Sequence, residues 1–137
     1  MTSTKKYIMW AVACVVGLVA FVALVVIGVL TRAASVSDVS PSGKYIIESV
    51  SASSLLTPRN TVYLRIKDRD HADQVYRSPI FSQDALDMRF REDEGTVGVV
   101  FIEMDKATKK YTLWISGTEE HWLNFFISNT PYDILEN

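Results

Sequence analysis

Cysteine and histidine are nearly absent from this chain of 137 residues, which has one of the first and two of the second. A single cysteine cannot close an internal disulfide, so any folded part must be held by its own core. So few histidines and cysteines leave a zinc site short of its usual ligands. No Asn-x-Ser/Thr acceptor occurs anywhere, which suits a bacterial envelope. The most telling absence is local: from Tyr7 to Leu30 there is no charged residue at all.

At about 1.5 Å rise per residue, Tyr7 to Leu30 makes a helix of roughly 36 Å. A bilayer hydrocarbon core is about 30 Å thick, so the segment is expected to cross one with some tilt. It is apolar on every face, unlike a helix that lies on a soluble core. Cys14 sits inside it, in IMWAVACVVG. A lipid-modified cysteine would follow a short apolar region and precede a polar chain. Here most of the apolar run follows Cys14, so this residue is read as part of the span. A cleavable signal peptide has an apolar region of about 7–15 residues. This run is longer, and the anchor is expected to stay despite the cleavage-like Thr31-Arg32-Ala33. Lys5 and Lys6 precede the run and Arg32 alone follows it. The positive-inside rule then leaves residues 1–6 in the cytoplasm and exports the C-terminal part. The expected location is a bacterial inner membrane, crossed once by residues 7–30, with the folded domain on the periplasmic side.

Residues 1–34 hold three basic groups and no acid, whereas the remainder sets 11 Lys/Arg against 16 Asp/Glu. An acidic domain is a poor nucleic-acid binder, because phosphate contacts demand clustered Lys and Arg. The charge suits solubility, or a basic protein partner. AASVSDVSPSG, Ala33 to Gly43, is rich in serine and lacks an apolar period. Residues 31–43 therefore read as a flexible tether, and 44–137 as the exported β-rich domain.

Alternation with period two runs through that domain, the pattern of half-buried strands. In TVYLRIK, Val62, Leu64 and Ile66 oppose Tyr63, Arg65 and Lys67. In ALDMRFR, Leu86, Met88 and Phe90 oppose Asp87, Arg89 and Arg91. EDEG, Glu92 to Gly95, supplies a turn before TVGVVFI, whose Val97, Val99 and Phe101 continue the apolar face. MDKATK makes a second turn, and in KYTLWIS Tyr111, Leu113 and Ile115 point inward. KYIIESV is an earlier strand and QVYR a weaker one. Close turns between short strands predict a mainly β fold, a small antiparallel β-sandwich or curved meander. After Gly117 the pattern shifts. Thr118 as a cap, Glu119 and Glu120 in a first turn, and Trp122, Phe125 and Phe126 at helical spacing favour a short C-terminal helix over a closing strand across 118–127.

Catalytic chemistry is hard to find. DRDHAD groups Asp68, Asp70, His71 and Asp73, but a calcium loop needs a glycine at its sharp turn and a distal glutamate. It reads as a solvated turn. His121 is adjacent to Glu120, and neighbours in a helix do not face each other, so a surface or capping role is expected. These residues predict no enzyme, no cofactor and no metal.

SPSGKY, Ser40 to Tyr45, is similar to strings that open blade strands in β-propellers, but a propeller repeats it about every 40 residues and here it occurs once. An apolar span, a short link, this string and a β-rich domain together resemble small single-pass envelope protein families of proteobacteria. Some of those resemble immunity proteins encoded beside toxins of interbacterial secretion systems. The resemblance implies a membrane-anchored inhibitor that meets a secreted toxin. A structural or assembly subunit of an envelope complex is the second expectation, and a ligand-sensing module the third. Either of the first two requires a protein-binding surface. Its candidates are Leu55 and Leu56 in the long link SASSLLTPRN, the acidic turn Glu92, Asp93 and Glu94, and Trp122 and Phe125 in the aromatic tail.

Overall fold

The computed structural model describes residues 2–115 and 120–135. It opens with α1, Ser3–Leu30, whose first turn is capped by the Thr2 side chain accepting the Lys5 amide. With its 28 residues, α1 is long and apolar enough to cross a membrane. At its far end the Thr31 hydroxyl donates to the Ile27 carbonyl.

The rest is mainly β, in two sheets that face each other. Strands β1 (Val36–Val39), β2 (Tyr45–Ser51), β3 (Thr61–Asp68) and β4 (His71–Arg77) lie side by side in that order, all antiparallel, and the short β5 (Phe81–Ser82) also pairs β3. A single 3-10 turn, Gln83–Ala85, leads into the second sheet. There β6 (Asp87–Glu92), β7 (Thr96–Val100), β8 (Ile102–Asp105) and β9 (Tyr111–Trp114) form an antiparallel meander. Its other edge is β10 (Tyr132–Leu135), parallel to β9. A one-turn helix, α2 (Asn124–Ile127), lies in the crossover between β9 and β10.

Alternation decides what fills the sandwich. Tyr45, Ile47, Val62, Leu64 and Ile66 of the first sheet meet Val97, Val99, Ile102, Met104, Tyr111 and Leu113 of the second, all of them buried. Ile115 is buried with them, and Leu86, Met88 and Phe90 pack at the margin. A second apolar cluster covers the outer face of the first sheet. Val26 and Val29 of α1, Val50, Ala52, Tyr63 and Ile80, and Leu123 and Ile127 from around α2 make it up. The first sheet is thus covered on both faces, and the C-terminal end of α1 is part of the domain.

Three sequence expectations need correction. Residues 31–43 are not a flexible tether: Val36–Val39 is a strand, in register with Ser49 to Ile46. All four of its side chains are exposed, so pairing of backbone groups along the β2 edge holds it, and no apolar period announces it. Gly43, with φ at 77°, closes the turn that follows, a conformation glycine adopts at no steric cost. Next, TVGVVFI is two strands. Val99 pairs with Ile102, so Val100 and Phe101 are the whole link, and Phe101 turns outward at φ 68°, 47% exposed. Finally, the C-terminal helix expected across 118–127 is, among the described residues, the single turn Asn124–Ile127. Leu123 and Ile127 are buried, whereas Trp122 is 55% and Phe125 84% exposed. Thr118 and Glu119, the expected cap and first-turn acid, lie outside the described residues.

Candidate functional site

The first candidate region is the junction of α1 with the sandwich. A helix leaves its last four carbonyls without intrahelical partners, and their partial negative charge favours a cation beside them. Here the domain answers both needs. The Tyr63 hydroxyl donates to the Val29 carbonyl at 2.8 Å. Arg65 Nη1 donates to the carbonyls of Leu30 and Arg32, each at 3.3 Å. Arg32 Nη1 in turn donates to the carbonyls of Ser51 and Ser53, both at 2.8 Å. Glu48 orients the clasp, its Oε1 lying 2.9 Å from Arg65 Nε and 3.0 Å from Lys67 Nζ. Burial pushes the Glu48 carboxyl up, but the hydrogen bonds from Arg65 and Lys67 outweigh it and hold the group below its ordinary range.

None of these residues stood out in the sequence as functional. The alternation of TVYLRIK assigns Tyr63 and Arg65 to the face away from the core. It cannot say that α1 covers that face. The contacts of Tyr63 and Arg65 with the helix end join residues 33 to 35 positions apart, so no local sequence pattern announces them.

The acidic turn lies at the opposite end of the sandwich and is mostly engaged within it. Glu92 accepts from the Ser42 amide at 2.7 Å and the Ser42 hydroxyl at 2.8 Å, and Lys106 Nζ approaches to 3.3 Å. Its side chain is 6% exposed. Asp93 Oδ1 accepts from the amides of Gly95 and Thr96, closing its own turn, while Lys106 donates to the Asp93 carbonyl. Glu94 is exposed. This end is therefore a staple from the β1–β2 turn of one sheet to the β6–β7 turn of the other.

Burial pushes the Glu92 carboxyl up from its ordinary value of 4.5, but bonds from Ser42 and Lys106 outweigh it and hold the pKa lower. A carboxyl depressed on folding contributes stability that is fully present above its unfolded pKa and is lost as pH falls through the folded one. The melting temperature should therefore be flat from neutral pH down to about 5 and fall below about 4.5. Glu92→Gln should melt lower at neutral pH and show a shallower acid fall. Thermal melts of both proteins across that range check this, and parallel curves would refute it.

In DRDHAD, Asp68 is buried and closes its turn: Oδ1 accepts the Asp70 amide at 2.9 Å and Oδ2 lies 3.3 Å from His71 Nδ1. Burial pushes its carboxyl up, and these two bonds outweigh that and lower it. Asp70 and Asp73 are exposed. Among the described residues, no three His, Cys, Asp or Glu side chains converge as a metal site would require. His121 stacks on Trp122 and accepts the Leu123 amide through Nδ1, capping the turn that precedes α2.

The apolar candidates fall at the end beside α1. Leu55 and Leu56 part company in a tight turn closed by Ser54 and Thr57. Leu55 is 85% exposed, whereas Leu56 packs against the second cluster. Trp122 and Phe126 face α1 across an apolar groove of about 410 Å³, and Phe125 stands edge-on to Phe126 with its own ring in the open. Leu55, Trp122 and Phe125 thus share a region from which Glu92, Asp93 and Glu94 are remote. No known protein family, curated protein or solved structure matches the chain.

Proposed function

We propose that this is a single-pass membrane protein whose β-sandwich is a non-catalytic protein-binding module, carried at the membrane surface in a fixed pose as a structural or assembly subunit of an envelope complex. The observation that carries this reading is the clasp of Tyr63, Arg65 and Arg32 on the end of α1. An immunity-type inhibitor on a leash would gain from freedom to search, since a flexible tether sets the effective concentration it supplies. Here no leash separates span from domain. A subunit whose span and domain must present matched surfaces together gains from such a mount instead. Lys5 and Lys6 before the span support a cytoplasmic N-terminus and a periplasmic domain.

A periplasm-dependent reporter fused after Asn137 should be active, with the full-length chain in the membrane fraction. Extracted in mild detergent, the protein should migrate on native gels well above its monomer mass. Exchange of Tyr7–Phe21 for an unrelated apolar sequence should abolish that migration while leaving the domain folded, because Val22 to Leu30, the part docked on the sandwich, is kept. A silent reporter would reverse the orientation. Migration as a monomer, or a complex indifferent to the exchange, would overturn the subunit reading and favour the toxin inhibitor.

A further inference from the structure

The helix docks so that part of the sandwich lies level with residues that a membrane span must bury. Val22, Val26 and Leu30 of α1 pack in or against the second cluster, so the span and the domain run side by side there. The groove between them is lined by Leu18, Val19, Val22 and Val26 on one side and by Trp122 and Phe126 on the other. The apolar run of α1 is roughly 36 Å long and a hydrocarbon core about 30 Å thick. Only about 6 Å of its C-terminal end therefore stands clear of the hydrocarbon when Lys5 and Lys6 hold the other end at the opposite surface. Leu18 lies about 18 Å along the axis from Leu30, which puts the floor of the groove roughly 12 Å below the hydrocarbon edge.

We propose that this end of the β-sandwich is inserted into the leaflet on the domain side, with Trp122, Phe125 and Phe126 as interfacial anchors and lipid acyl chains filling the groove. The proposal rests on the reading of α1 as a membrane span. Given that reading, the occupant follows from continuity: one wall of the groove is the lipid-facing surface of α1 itself, so whatever fills it is already in the bilayer. The chemistry of the other wall agrees. WLNFFI, Trp122 to Ile127, has no charged residue, and its one polar side chain, Asn124, turns inward to accept the Ile80 amide at 2.8 Å. Amphipathic segments seat in an interface with tryptophan, phenylalanine and leucine on the face that enters the headgroup and acyl boundary, about 5–10 Å deep. Leu55 protrudes from the loop whose Leu56 packs on the same cluster, and it enters the same layer. The exposed aromatics that a soluble domain would bury or lose are here directed to lipid.

The test places a polarity-sensitive fluorophore on single cysteines of the full-length chain, in a Cys14→Ser background, reconstituted in phosphatidylcholine–phosphatidylglycerol vesicles. Three positions suffice: Leu18→Cys on the span, Phe125→Cys on the proposed anchor, and Glu94→Cys at the far end of the sandwich. Phe125 and Glu94 are exposed, so neither change disturbs the core. Blue-shifted emission at 18 and 125, lost to lipids brominated on their acyl chains and protected from aqueous iodide, is expected, with the reverse at 94. A label at 125 that iodide quenches and brominated lipid does not, while 18 stays in lipid, overturns the insertion and leaves the span standing. A label at 18 in water overturns both. Circular dichroism of each labelled protein confirms its fold, and Trp122 fluorescence in a Trp10→Phe, Trp114→Phe protein gives a second reading should the label itself perturb the site.

Discussion

Gly98→Ala should strongly destabilise the sandwich. A Cβ at this position would lie 2.2 Å from the Ile102 carbonyl oxygen, 2.8 Å from Glu103 Cα and 3.1 Å from the Ile102 carbonyl carbon. All three are backbone atoms, so no flexible side chain can swing aside. Relief would require β7 and β8 to separate. Those strands are joined by only Val100 and Phe101 and carry Val97, Val99, Ile102 and Met104 into the core, so separation opens the inner layer. The cost should be about 4 kcal/mol or more, the range reached only by a few mechanisms such as this overpacking. Domains of this size have about 5–15 kcal/mol in all. Gly95→Ala is the matched control, since its Cβ would meet nothing nearer than Asp93 Oδ1 at 3.8 Å. Urea titration of the full chain in detergent, followed by circular dichroism, should show a lost or strongly lowered midpoint for the first variant and little change for the second. A wild-type midpoint for Gly98→Ala would mean that the hairpin is built differently.

That glycine was also the readable sign of a turn that the sequence otherwise hides. Val100-Phe101 contains no Gly, Pro or Asn, so TVGVVFI looks like one strand. An isolated glycine inside a strand pattern often marks a close backbone approach, and Gly98 marks one here. Elsewhere the inner layer was legible, because burial on one face leaves a period of two: Val62, Leu64 and Ile66, then Val97 and Val99, then Tyr111, Leu113 and Ile115 are all buried. The β1 strand was not legible, since it contributes backbone pairing and no buried side chain. Nor was β10, whose Tyr132 and Ile134 are only partly buried at the margin of the core and whose parallel partner is reached through a crossover. The junction escaped for a different reason. Periodicity tells which residues share a face, and Tyr63 and Arg65 do face away from the core; what lies over that face is a matter of long-range packing.

Within that junction, Glu48→Ala should cost about 3 kcal/mol and loosen the helix from the domain. Glu48 and Arg65 side chains are 10% and 11% exposed, so the change leaves a guanidinium in a nearly dry site without its counter-ion. Losing one partner of a buried pair costs about 3–5 kcal/mol. The lower figure applies here, because Lys67 Nζ, the other group on Glu48 Oε1, is 37% exposed and can turn to water. Tyr63→Phe removes a single hydrogen bond to Val29 and should cost about 1 kcal/mol. The informative variant is the double change Glu48→Leu with Arg65→Met. Replacing both members of a buried pair by apolar side chains of similar size is often neutral for stability, so most of the midpoint should return. The clasp on Leu30 and Arg32 does not return with it, since methionine has no donor. Stability and pose should therefore come apart. Spin labels at Leu18→Cys and Glu94→Cys in the Cys14→Ser protein would give a narrow distance distribution for the parent and a broad one for the double variant. A distribution that stays narrow would assign the fixed pose to the packing of Val26 and Val29 together with the Tyr63 and Arg32 hydrogen bonds, and Arg65 would be reduced to satisfying the helix end.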